Sequence, residues 1–130
     1  MTALIDRRDL HFILHELIEV ETLRRYDRFA GHDRTVYDEM LDAATRLAEE
    51  KFAPHAAKLD ANEPRFDGQR VHLIPEVAEA CRAYIEAGFL AAPFDPEEGG
   101  LGLPYTLTSA ASAIFTAAKP VRFPFLVWSI

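Results

Sequence analysis

Cysteine is nearly absent: Cys81 is the one thiol in 130 residues. A single cysteine cannot build an internal disulfide framework, so it points to a core held by packing and to a reducing compartment. Cys81 itself reads as a small buried helix residue. Positive charge is also short. Fourteen Lys and Arg face 21 Asp and Glu, a net charge of −7, which argues against a polyanionic nucleic-acid partner. The doublets Arg7-Arg8 and Arg24-Arg25 are isolated and read as solvated helix faces. No apolar run approaches the roughly 20 residues needed to span a bilayer. The opening Met1-Thr2-Ala3-Leu4-Ile5-Asp6 is broken by charge before it could form a secretory h-region. These absences set a cytoplasmic location as the expectation. Nucleophile elbow, phosphate-cradling loop and dinucleotide fingerprint are missing too. Ser109 and Ser112 have no histidine beside them in sequence and read as small packing residues.

What is present is helical. Apolar residues make up 49% of the chain, ample for one core. From Asp9 to about Tyr26, Leu10, Ile13, Leu14, Leu17 and Ile18 fall on one helical stripe, with Asp6 or Asp9 placed to cap it. Asp33 or Thr35 opens a second helix, whose face carries Tyr37, Met40, Leu41, Ala44, Leu47 and Ala48. Pro54 must kink or restart it, and helix signals resume through Leu59. Residues 65–74 form a polar connection with an Asp67-Gly68 turn and no visible strand partner, hence a loop. Pro75 starts another helix, which Gly88 closes as a left-handed cap; Phe89-Leu90 can fold back on its last turn. A final helix runs from Tyr105 to Ala118.

Between the last two helices, two prolines bracket three glycines in Phe94-Asp95-Pro96-Glu97-Glu98-Gly99-Gly100-Leu101-Gly102-Leu103-Pro104. Glycine admits positive φ and close backbone approach while proline fixes φ, so this is a connection with one required path. Leu101 and Leu103 are expected to face the core. His11 and His15, at i and i+4 beside Glu16 and Glu19, have a spacing that can clamp a metal. Spacing offers no third ligand, so no metal site is assigned.

The Gly-Pro stretch Asp95 to Leu103 resembles a motif in the N-terminal helical domain of acyl-CoA dehydrogenases, without the aromatic residue that usually precedes the glycine pair. Leu47-Ala48-Glu49-Glu50-Lys51-Phe52-Ala53-Pro54-His55-Ala56-Ala57 is similar to a second block of that family, in the right order and separation. Phe12-Ile13-Leu14-His15-Glu16 with Ile18-Glu19-Val20-Glu21 resembles the opening of a subgroup with an N-terminal extension, whose members act on methylthiopropionyl-CoA-like thioesters.

The resemblance implies an all-α fold, an orthogonal multi-helix array; Pro120 and Pro124 block a helix beyond it, so an irregular C-terminal tail is expected. The resemblance divides the chain into an extension (1–34) and a helical domain (35–118), after which an apolar tail (119–130) diverges from the family. The implied function is that of an N-terminal piece of an FAD-dependent acyl-CoA dehydrogenase, with acyl-CoA and the remaining dehydrogenase domains as partners. Enzymes of this family remove a proton from Cα and a hydride from Cβ of the thioester. Their base and most flavin contacts lie in later domains, so the resemblance assigns no catalytic residue here and no FAD to this chain alone. It places Pro96, Glu97, Gly99, Gly100 and Gly102 in the motif loop, and Ala111, Ile114, Phe115 and Ala118 on the acyl-pocket wall; plain core is the other reading of those four. Two other readings stay open for the whole chain: a non-catalytic interaction module, and the product of a truncated gene. The tail, with Phe123, Phe125, Leu126, Val127, Trp128 and Ile130, is expected to drive self-association.

Overall fold

The computed structural model describes residues 3–118, and the architecture over that range is all-α. Helix α1 (Arg7–His11) starts at Asp6, whose carboxylate accepts from the backbone N–H of Arg8 and Asp9. It runs on as a π turn, Phe12–Leu17, and ends at Glu19, a non-glycine residue with φ of 52°. The expected continuous helix to Tyr26 is thus corrected: short 3-10 turns, Val20–Arg25 and Asp27–Phe29, follow the break. Burial gives the reason. Leu10 and Leu14 reach the core, but Ile13, Leu17 and Ile18 are exposed, and the reversal at Glu19 brings Val20 fully inside.

Helix α2 (Arg34–Leu47) is capped by Asp33, which accepts from Val36 N–H at 3.0 Å. A π turn, Ala48–Phe52, and a 3-10 turn, Ala53–His55, carry the chain past Pro54 into α3 (Ala56–Ala61). Pro54 has no N–H and its ring crowds the carbonyl four residues back, so the preceding turn widens. The predicted loop over 65–74 holds a minimal hairpin instead. Strand β1 (Arg65–Phe66) pairs antiparallel with β2 (Val71–His72) around the Asp67-Gly68 turn. Two residues per strand are too few to show alternation in sequence.

Helix α4 (Pro75–Glu86) ends as expected at Gly88, φ 87°. Phe89 N–H returns to Tyr84 C=O at 3.3 Å, and the two rings stack at 5.6 Å. Helix α5 (Tyr105–Ala118) then lies against α2. Along α2 and its π turn, Tyr37, Leu41, Ala44, Ala48 and Phe52 make an uninterrupted buried stripe. Phe115 of α5 meets three other rings: Phe52 at 5.1 Å, Tyr84 at 5.0 Å and Phe89 at 5.1 Å. Leu10, Leu14 and Val20 of the first segment join the same core.

The Gly-Pro loop folds onto its own backbone. Gly100 N–H bonds Asp95 C=O, Gly102 N–H bonds Phe94 C=O, and Leu103 N–H bonds Ala92 C=O, at 2.8 to 3.0 Å. Gly99 and Gly102 have positive φ, 84° and 61°. Gly100 does not, yet a Cβ there would lie 2.0 Å from Phe94 O and 2.6 Å from Ala91 O. Close approach, not φ, is what requires glycine at that position. Leu103 is buried as expected, while Leu101 is corrected to half exposed; it lies at the surface near Gly88.

The two glycines therefore differ in kind. Gly100→Ala is expected to destabilise by about 3 kcal/mol, the upper part of the range for overpacking, because the clash is with fixed backbone. Gly102→Ala should cost about 1–2 kcal/mol, the usual penalty of a left-handed residue with a Cβ. Urea midpoints of the two variants check the order; Gly102→Ala being the worse of the two contradicts it.

Candidate functional site: an apolar groove beside the last helix

An open groove of about 470 Å³ lies along α5. Tyr105, Thr108, Ala111 and Ser112 come from α5, at i, i+3, i+6 and i+7; Tyr84, Phe89 and Leu90 come from the end of α4 and its cap. Pro93 and Phe94 close one end and Met40 reaches in from α2. The small residues of α5 leave this space, and the hydrogen-bonded Gly-Pro loop holds Phe94 beside it. Phe94 and Tyr105 are exposed, 54% and 72%, so the groove mouth is aromatic.

Its chemistry is narrow. Among the described residues, no carboxylate, ammonium or imidazole lines the groove; its side-chain polar groups are the hydroxyls of Tyr84, Tyr105, Thr108 and Ser112. Such a site can hold an apolar chain by burial and orient a polar end by a hydrogen bond. It has no group suited to abstract a proton near neutral pH. A second depression, bounded by Arg7, Glu39, Asp42, Thr45 and Arg46, is polar, and Arg7 already bonds Asp42 and Thr45 there.

Of the four residues expected on an acyl wall, Ala111 lines the groove. Ile114, Phe115 and Ala118 are at most 2% exposed and belong to the core around the aromatic cluster. Pro96, Glu97 and Gly99 are exposed at the outer turn of the motif loop, with Gly102 buried beneath it. That loop is no phosphate cradle: the N–H groups of Glu98, Gly99, Gly100 and Gly102 bond carbonyls within the segment, and that of Leu103 bonds Ala92 C=O. The residues described thus do not fit the pyrophosphate of FAD at the loop. Phe94, Tyr105 and Met40 escaped the sequence reading. The signal for Phe94 and Tyr105 was their place at either end of the Gly-Pro stretch; Met40 looked like ordinary core. Spacing left His11 and His15 without a further ligand, and the fold brings Asp38 to them.

Burial raises the pKa of Tyr84, and of Tyr37, where the Glu21 charge adds to it. A phenol whose folded pKa lies above the unfolded value of about 10 favours the fold below that pH, and the contribution is lost as pH rises through the folded value. Tyr84→Phe is therefore expected to reduce the alkaline fall in thermal midpoint, leaving the part due to Tyr37. An unchanged alkaline limb contradicts a buried, neutral Tyr84.

The sequence model of the acyl-CoA dehydrogenase N-terminal domain matches residues 36–127. Searches of curated proteins and of solved structures gave no significant match. The match takes in α2 to α5, the groove they form and the Gly-Pro loop, and it runs on past Ala118. With the all-α architecture, it shows that the chain belongs to the acyl-CoA dehydrogenase family, with the family's N-terminal domain as its matched part.

Proposed function

We propose that this chain is the N-terminal helical portion of an FAD-dependent acyl-CoA dehydrogenase, an enzyme of α,β-dehydrogenation of acyl-CoA thioesters in fatty-acid or short-thioester breakdown. Its groove contributes one wall around the acyl chain. The observation that carries this reading is an apolar groove beside α5, lined by Ala111 and, among the described residues, by no carboxylate, ammonium or imidazole. The likeness of the opening residues to the methylthiopropionyl-CoA subgroup supports a short thioester as ligand. FAD supplies hydride acceptance in the complete enzyme. With the N–H groups of Glu98, Gly99, Gly100, Gly102 and Leu103 already bonded to backbone carbonyls, this chain's role is to bind and to exclude water, and the remaining dehydrogenase domains are its partners. The resemblance puts the family's base and most flavin contacts in later domains, and on that ground this chain on its own is expected to be inactive. The single cysteine supports a cytoplasmic site of action; among the described residues no helix is long and apolar enough to cross a membrane. Self-association through 119–130 concerns residues outside those described.

Titration of the isotope-labelled chain with hexanoyl-CoA and with methylthiopropionyl-CoA tests the reading. Amide resonances of Phe94, Thr108, Ala111 and Ser112 are expected to shift, and free CoA should leave them in place. Ser112→Trp, at an exposed position of the groove, should abolish the shifts and keep stability within about 0.5 kcal/mol, as for ordinary surface substitutions. Equal shifts with free CoA, or none with either thioester, contradict an acyl wall. The purified chain should also be colourless and reduce no dye acceptor; stoichiometric flavin absorption contradicts the division of labour.

A further inference from the structure

Away from the groove, His11, His15 and Asp38 each turn one ligand-capable atom to a common point, all within 4.8 Å of one another. His15 is the anchor. Its side chain is 2% exposed, its Nδ1 bonds the Glu21 carboxylate, and its Nε2 lies 3.1 Å from Asp38 Oδ1. With the Nδ1 proton donated to Glu21, Nε2 presents a lone pair to a carboxylate lone pair. Two acceptors at that separation need a cation between them, a proton or a metal. His11 Nδ1 lies 3.6 Å from the same Asp38 oxygen. The other Asp38 oxygen is 3.7 Å from Arg34 Nε, which leaves Oδ1 for the histidines.

The geometry points to a divalent transition-metal site formed by His11 Nδ1, His15 Nε2 and Asp38 Oδ1, with Zn²⁺ as its best-matched ion. Donors bound to zinc at about 2.0–2.2 Å in a tetrahedron lie roughly 3.3–3.6 Å apart. The two edges to Asp38 are already near that length. The remaining edge closes by rotation of the His11 ring, whose side chain is 29% exposed. Two imidazoles and one carboxylate suit Zn²⁺, Co²⁺, Ni²⁺ or Cu²⁺, whereas Mg²⁺ and Ca²⁺ prefer all-oxygen shells. The Glu21 carboxylate on the far nitrogen of His15 fixes the tautomer and ring orientation, as carboxylates do behind many metal-bound histidines. A fourth position is left for water.

The site has a structural consequence. His11 and His15 sit on α1 and the π turn after it, whereas Asp38 sits on α2. A bound ion clamps the first segment of the chain to the helical domain. The imidazoles, His11 at the end of α1 and His15 in the π turn, have ring centroids 5.4 Å apart. One group competes. Arg7 Nη2 lies 3.2 Å from His11 Nε2, and that nitrogen carries a proton once Nδ1 is on the metal. Arg7 must then turn away, retaining Asp42 and Thr45.

Chelator-stripped full chain, titrated with Zn²⁺ by calorimetry and with Co²⁺ by visible absorption, tests the site. The expected result is one ion per chain, a higher thermal midpoint with Zn²⁺, and tetrahedral-type Co²⁺ bands. His11→Ala and Asp38→Asn, each checked for wild-type circular dichroism, should each weaken binding at least tenfold. Glu21→Gln should weaken it about 10- to 100-fold, as loss of such supporting carboxylates does, and Arg7→Gln should tighten it. Failure to bind one Zn²⁺ per chain would assign the bridging cation to a proton and overturn the site. Binding that survives either His11→Ala or Asp38→Asn overturns it as well.

Discussion

The arrangement depends on the ring of Phe115. It stands on α5 and is surrounded by Phe52 from the π turn after α2, Tyr84 from α4 and Phe89 from the cap of α4. Two of these contacts are edge-to-face and the third is tilted, geometries in which aromatic pairs gain about 0.5–1.5 kcal/mol beyond their buried area. One side chain therefore sets where α2, α4 and α5 stand relative to one another. The groove is a by-product of that placement. Its walls are the outer faces of the elements that Phe115 joins, and Tyr84 and Phe89 belong to both core and groove.

The Gly-Pro loop transmits this order to the groove mouth. Because Gly100 has no Cβ, the chain passes within contact of the Phe94 and Ala91 carbonyls. That approach lets Gly102 and Leu103 bond back to Phe94 and Ala92. Arg28, from the first segment, adds a hydrogen bond to Pro93 C=O at 3.1 Å and an ion pair to Asp95. Phe94 is thus held between two hydrogen-bonded neighbours although its ring faces solvent. The family motif in this loop is accounted for by backbone packing.

Most of the fold was legible where a local rule decided the outcome. Asp33 capping α2, Pro75 opening α4, Gly88 closing it and Phe89 returning onto Tyr84 each follow from one or two residues. The misses were decided by tertiary packing. The stripe Leu10 to Ile18 looked like a continuous helix, but the core accepts Leu10, Leu14 and Val20 and leaves Leu17 outside. Leu101 and Leu103 are equivalent in sequence, and only burial separates them. Of the residues that line the groove, Ala111 is the one the resemblance had put on an acyl wall; Phe94 and Tyr105 were not singled out, because an exposed aromatic carries no periodic signal. The third member of the histidine cluster, Asp38, stands 23 residues from His15, a separation that no spacing rule spans.

The central claim is that the groove beside α5 receives the acyl chain of a thioester. Intermolecular nuclear Overhauser contacts between a proton-bearing acyl chain and the labelled protein test it most directly. The account predicts contacts from acyl methylene and methyl protons to the Ala111 methyl and the Phe94 ring, with none from the adenine of CoA to those groups. Contacts instead to Leu17 and Ile18, the exposed apolar side chains of the first segment, would contradict it.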